Sequence, residues 1–161
     1  MPTAPRPIRV AIAWVSRTRW FRRVGPKVMP PLERVLSCLT GGRLVASGLI
    51  MPSLVLHTVG AKTGKRRSNE LMCVPDGETL LITGSNFAGA KHPGWTYNLL
   101  ANPQAEIDYR GRKNTPVGAT LVPDDEREAA WVTLQRQWPN YRRYEIDSGR
   151  KLRIFRLTRS S

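Results

Sequence analysis

Three runs of the sequence concentrate residues able to do chemistry. The first is Gly60-Ala61-Lys62-Thr63-Gly64-Lys65-Arg66-Arg67-Ser68-Asn69. Its glycines let the backbone fold tightly and approach a ligand. Lys62 and Arg67 supply cations, and backbone N–H groups in such turns can cradle an anion. The GxxxxGK[ST] spacing of a nucleotide P-loop is absent. A solvated hairpin loop would carry the same residues, and composition alone leaves the two readings level. The second run is Thr83-Gly84-Ser85-Asn86-Phe87-Ala88-Gly89-Ala90-Lys91-His92-Pro93-Gly94-Trp95, a small polar loop leading into a helix start. Helix N-termini favour anions, and Ser85 and Asn86 can bond a ring edge or a phosphate. Read alone, it is more readily a connector whose Ser and Asn serve as turn residues. The third run, Trp138-Pro139-Asn140-Tyr141-Arg142-Arg143-Tyr144, spaces three aromatics at intervals of three. They could wall a pocket with phenolic donors, or end a helix as partly buried aromatics.

Other chemistries find little support. His57 and His92 are the two histidines. His57 falls in a strand pattern and reads as structural. His92 has no neighbouring Asp, Cys or second His, so no metal site is expected. There is no Ser-His-acid order or nucleophile elbow. Asp124-Asp125-Glu126 reads as helix-start chemistry. Cys38 and Cys73 are far apart and read as two unpaired buried thiols in a reducing, intracellular setting.

These runs must be held by short elements. Strand-like alternation begins near Leu54 and predicts strands at 54–58, 67–75 and 79–83, with Asp76-Gly77 as a hairpin turn. A short helix at 95–101 is stopped by Asn102-Pro103. Strands at 105–109 and 113–121 pair across Arg110-Gly111-Arg112. Pro123-Asp124-Asp125 starts a helix running to about Trp138, with acids in its first turn. Residues 140–148 form a turn or short helix, and 152–157 a final strand. About six short, locally connected strands favour a small antiparallel β-barrel with decorating helices, an α+β or mainly β fold, over a parallel α/β sheet.

With 161 residues the chain makes one ordinary domain preceded by an extension. Its net charge is +14, and residues 1–45 hold nine Arg/Lys against one acid, Glu33. This segment predicts a basic helix over 8–24, carrying Trp14, Trp20 and Phe21, then a short helix near Leu32–Leu39. The expected division is therefore 1–45, a basic helical extension, and 46–161, the barrel. Basic residues interleaved with aromatics suit peripheral contact with an anionic membrane through residues 8–45. A helix packed over the barrel with a solvated Arg face accounts for them equally well. No motif supports nucleic acid. No stretch approaches the roughly 20 apolar residues of a membrane span, so a cytoplasmic protein is expected.

Taken together, the three runs resemble the deazaflavin-dependent nitroreductase family, whose members use coenzyme F420 on a split β-barrel. The resemblance spans about Leu54 to Leu157. The family's Gly-x-Lys-Ser/Thr-Gly-x-x-Arg-x-Asn run is met by Gly60, Lys62, Thr63, Gly64, Arg67 and Asn69. Its Ser…Lys-x-Pro-x-Trp run is met by Ser85, Lys91, Pro93 and Trp95, followed by Tyr97-Asn98-Leu99 and Ala101-Asn102-Pro103. Its aromatic-Pro-x-Tyr-x-x-Tyr run is met by Trp138, Pro139, Tyr141 and Tyr144. Each run is weak alone; three in order are specific.

The resemblance implies an F420H2-dependent reductase that passes a hydride to an electron-poor quinone, nitroaromatic or activated alkene. The coenzyme's phosphodiester and oligoglutamate tail are anionic and suit Lys62 and Arg67. Implied cofactor-binding residues are Lys62, Thr63, Arg67, Ser68, Asn69, Leu71 and Met72 on one side. Thr83, Gly84, Ser85, Asn86, Gly94, Trp95, Thr96, Tyr97 and Asn98 are implied on the other. Tyr141 is implied near the ring and Tyr144 near a small hydrophobic acceptor, as positioning groups or proton donors. Relatives include monomers and dimers, and a monomer or weak dimer is expected. Three departures bear on specificity: Glu70 where many relatives have Pro, Trp138 for a Tyr, and Asn86-Phe87 for Lys-Gly. An FMN enzyme on the same barrel, or a cofactor binder without turnover, is the alternative within the fold. A basic membrane-surface or nucleic-acid-binding protein is the alternative of another class.

Overall fold

A computed structural model describes residues 52–139 and 141–160. The expected N-terminal helices and Cys38 lie outside the described residues.

Alternation at Leu54, Leu56 and Thr58, all buried, makes β1 (Ser53–Val59) a strand with one face inward. It hairpins into the long β2 (Arg66–Asp76). Asp76-Gly77 turns the chain into β3 (Thr79–Thr83), with Gly77 at φ +59°. After a 3-10 turn at Asn86–Ala88 comes α1 (Gly94–Ala101). β4 (Gln104–Tyr109) and β5 (Arg112–Leu121) form the second hairpin, with Arg110 and Gly111 at φ 51° and 81°. Two helices, α2 (Arg127–Gln137) and α3 (Tyr141–Ser148), precede β6 (Ile154–Arg159). The strands close an antiparallel barrel in the order β1-β2-β3-β6-β5-β4.

Two cores follow from the strand period. Inside, Leu54, Leu56, Cys73, Ile82, Ile107, Val117, Phe155 and Leu157 meet Trp95 and Leu99 of α1. Outside, Val74, Leu81 and Ile154 meet Trp131, Leu134, Trp138, Tyr141 and Tyr144 of the α2–α3 layer. Burial pushes the Cys73 thiol up to about 12, so it stays protonated and inert.

One expectation about helix starts is corrected. α2 begins at Arg127, and Asp124 and Asp125 lie in the turn before it. The Asp124 carboxylate pairs with Lys151 and the Glu126 carboxylate with Arg156, both outside the helix. These acids tie the turn to the approach and body of β6, and Glu128 alone remains in the first helical turn. Beyond Pro139, where turn and short helix were both expected, the chain is helical from Tyr141.

The two edges of β2 are paired unequally. β1 runs beside it from Arg66 to Met72, whereas β3 pairs only with Cys73–Asp76. The other edge of β2 at residues 66–72 therefore has no strand partner among the described residues. The 84–92 loop continues from the end of β3.

Candidate functional site

The β1–β2 loop is built as a tight frame. Gly60 N donates to Lys65 O (2.8 Å), and Thr63 N and Gly64 N both donate to Gly60 O (3.1 and 2.8 Å). Gly64 sits at φ +64°. A Cβ at Gly60 would lie 2.7 Å from Thr63 Oγ1 and 3.2 Å from Lys65 O, so a larger residue would push the Thr63 side chain aside and crowd the loop. Asn98 of α1 fixes the loop from outside. Its Oδ1 accepts from Ala61 N (3.0 Å), and its Nδ2 donates to Thr58 Oγ1 (2.9 Å). Asn98 thus holds the frame that presents Lys62, and its polar atoms are spent. Removing it leaves the buried Thr58 hydroxyl and the Ala61 amide without their partner. Asn98→Ala is expected to lower unfolding free energy by roughly 1–3 kcal/mol, read by urea denaturation.

Lys62, Lys65 and Arg67 are exposed and meet no carboxylate among the described residues. Other arginines differ: Arg66 at the start of β2 pairs with Glu106 (2.8 Å), and Arg142 on α3 with Glu128 (2.8 Å). Along β2, side chains alternate. Leu71 packs on the inner core and Met72 on the outer one, so Arg67 and Asn69 share the inward face, while Ser68 and Glu70 share the outward face.

Ser68 meets a group that sequence order hid. Its Oγ lies 2.8 Å from His57 Nδ1, and His57 Nε2 lies 3.2 Å from Asp108 Oδ1. Strand register creates this chain: His57 stands opposite Ser68 on β2 and opposite Glu106 on β4, with Asp108 two residues along β4 as its diagonal neighbour. Burial opposes ionisation of Asp108. The Asn114 N–H (2.8 Å) and His57 outweigh that and hold its carboxyl below the usual range.

The 84–92 loop is clamped by a residue that sequence reading did not single out. Arg150 donates Nε to Gly89 O (2.9 Å), Nη1 to Gly84 O (3.0 Å) and Nη2 to Ser85 O (2.7 Å). Its Nη1 also lies 3.0 Å from His92 Nδ1. Burial, with Arg153 and Arg150 nearby, lowers the His92 pKa. The loop carries left-handed Asn86 (φ 46°) and Ala88 (φ 61°), and Asn86 Nδ2 donates to Lys91 O (2.9 Å). Gly84 packs against α1, where a Cβ would approach Thr96 Cγ2 to 2.9 Å.

At α1, Trp95 is an inner-core side chain, 5.8 Å from the Phe155 ring. Thr96 is fully buried and donates to Pro93 O (2.8 Å). Both support the helix from within, while Gly94 and Tyr97 are exposed. Arg153 donates to Thr96 Oγ1 (3.0 Å), and its guanidinium lies 4.3 Å from the Tyr97 ring centre.

The α3 tyrosines sit in the outer core, ring centres 6.4 Å apart and edge to face. Tyr141 is 2% exposed and Tyr144 8%. Burial raises the Tyr141 phenol far above its ordinary pKa, so it holds its proton. Met72 and Ala88 pack on the same cluster. The tyrosines, the 3-10 turn and the unpaired stretch of β2 are thereby brought together. Thr83 Oγ1, at the end of β3, is buried with no hydrogen-bond partner among the described residues. Among the described residues no group of three His, Cys, Asp or Glu could hold a metal.

Comparisons with known proteins agree with this geometry. A family profile described as F420H(2)-dependent quinone reductase matches residues 35–159. An F420H(2)-dependent quinone reductase of Mycobacterium tuberculosis is 34% identical over 110 residues, covering 67% of this chain and 74% of that protein. A solved F420-H2 dependent reductase superposes with a TM-score of 0.58 at 28% identity, over 66% of this chain and 93% of that one. A further solved chain, described as a domain-swapped dimer, gives 0.62 at 29% identity over 81% and 96%.

Proposed function

The chain belongs to the F420H(2)-dependent quinone reductase family, and on that premise we propose that it reduces a quinone-type acceptor in the cleft between β2, the 84–92 loop and α3. It is an F420H2-dependent oxidoreductase; family membership carries the deazaflavin rather than FMN. Bound and reduced, that coenzyme supplies a hydride.

The residues fit such a ligand. Thr83 Oγ1 is a buried hydroxyl lacking a partner, and Lys62 and Arg67 are cations lacking a carboxylate among the described residues. The bare edge of β2 offers backbone donors and acceptors to a planar ring. The observation that carries the assignment is the loop itself. Asn98 and Gly60 fix it so that Lys62 and Arg67 stand ready for phosphodiester and glutamate groups. Thr63, Asn69, Ser85 and Thr83 would orient the ring and its linker. Of the other residues that the resemblance implied, Trp95, Thr96 and Asn98 act from behind, holding the frame.

Two-electron reduction of a quinone by hydride needs one proton. Tyr144 is the less buried of the two phenols, and we assign it to donate a hydrogen bond to the acceptor oxygen and stabilise the negative charge developing there, with solvent supplying the proton that completes the hydroquinone. Tyr141, edge to face beneath it, keeps its proton and fixes its angle. Tyr144→Phe is expected to lower kcat for a quinone about tenfold to a hundredfold and leave coenzyme affinity unchanged. Stopped-flow oxidation of F420H2 by a soluble quinone tests this. A quinone turning over no faster than a nitroaromatic or an activated alkene would contradict the acceptor assignment.

The acceptor's apolar character fits contact with an anionic bilayer through residues 8–45 in a cytoplasmic protein. Basic residues with Trp14, Trp20 and Phe21 support that contact. No helix among the described residues is long and apolar enough to cross a membrane. Co-sedimentation with anionic vesicles at low salt, lost at high salt, is the expected behaviour. Small apolar acceptors require no second subunit, and a monomer or weak dimer is consistent with this site.

A further inference from the structure

A second group of cations surrounds the start of α1, apart from the Lys62 loop. Arg153 rests on the Tyr97 ring at 4.3 Å and bonds Thr96 Oγ1 at 3.0 Å. Burial, with Arg153 nearby, lowers the Arg150 pKa, and Arg150 Nη1 lies 3.0 Å from His92 Nδ1. Among the described residues no carboxylate makes an ion pair with Arg150, Arg153 or Lys91, although Arg66, Arg127, Arg142, Arg143, Lys151 and Arg156 all have one. Glu145 is within electrostatic reach of Arg150, whereas Arg153 sits beside a like charge with no carboxylate ion pair among the described residues, and like charges repel. Such an arrangement is relieved by an anion. Arg150 is occupied by three loop carbonyls. Arg153 spends one donor on Thr96, so its fork retains donors for an oxyanion.

We propose that Arg153, braced by the Tyr97 ring and Thr96 hydroxyl, is an oxyanion subsite that fixes the coenzyme's charged tail on the α1 side of the cleft. This rests on the reading of the chain as a deazaflavin enzyme and extends it to a specificity-determining residue. The subsite and the Lys62 loop meet α1 at consecutive residues: Arg153 stacks on Tyr97, and Ala61 bonds Asn98. Both groups of cations therefore abut the same helix. The tail's oxyanion is either the phosphodiester or a glutamate carboxylate.

The test is a fluorescence titration of wild type, Arg153→Gln and Arg153→Lys with three oxidised deazaflavins. They are the full coenzyme, a form lacking the glutamates, and one lacking the phosphodiester as well. Arg153→Gln is expected to weaken binding of the full coenzyme at least tenfold, with Arg153→Lys intermediate. It is expected to leave the shortest deazaflavin unchanged, which also shows that the variant is folded. A loss kept by the glutamate-free form assigns the phosphodiester; a loss confined to the full form assigns the glutamates. Arg153→Gln binding the full coenzyme within twofold of wild type would overturn the subsite alone. A wild type that binds none of the three would overturn the deazaflavin reading and the subsite with it.

Discussion

Arg150→Ala is expected to reduce kcat/KM for F420H2-dependent quinone reduction by about a hundredfold. The guanidinium holds the carbonyls of Gly84, Ser85 and Gly89 at 2.7–3.0 Å, from residues 61 to 66 positions away. Without it, three carbonyls lose their donors and the loop carrying Ser85 is no longer fixed. Misplacement of about an ångström is enough for such a loss. The same change is expected to lower stability by about 2–3 kcal/mol. Arg150→Lys should recover little, because an ammonium cannot bridge three carbonyls in one plane. Steady-state kinetics beside a urea melt separates the two effects. Kinetic constants within twofold of wild type would show that the loop holds its shape unaided.

The largest effect on stability is expected at Trp131, 1% exposed in the outer core. Trp131→Ala should cost about 3–5 kcal/mol, from lost burial and the cavity left behind. It also removes the ring that faces the Arg127 guanidinium at 5.5 Å. Arg127 joins α2 to Glu145 of α3 and to Leu152 O, so loosening α2 should loosen the helix that carries the tyrosines. Urea unfolding checks the value; a loss under about 1 kcal/mol would mean the helical layer is not packed as a unit.

Much of the fold was legible in the sequence, for physical reasons. Leu54, Leu56 and Thr58 alternate because one face of β1 is buried. Asp76-Gly77 and Arg110-Gly111 mark hairpins because the turns need positive φ at Gly77, Arg110 and Gly111. The start of α2 was misplaced because Asp124 and Asp125 resemble helix-start acids, whereas Asp124 is spent on a distant Lys151. The Ser68–His57–Asp108 chain was invisible because register, not order, assembles it. Arg150 and Arg153 were unreadable for a similar reason: the partners that give them their roles lie far earlier in the chain, at Gly84, Ser85, Gly89, Thr96 and Tyr97. Asn98 shows a subtler limit. Its place in the short helix after Pro93 was legible, but that its amide holds the loop could come only from distances.

The central claim is that the exposed cations of the Gly60–Asn69 loop capture the tail of a deazaflavin. The most direct measurement is a fluorescence titration of oxidised coenzyme F420 into wild type and Lys62→Ala/Arg67→Ala. Saturable binding by wild type, weakened at least tenfold in the double variant, is the expected result, equivalent to about 1.4 kcal/mol or more of charge-assisted contact. Equal affinity in the two proteins, or no saturable binding in wild type, would contradict it.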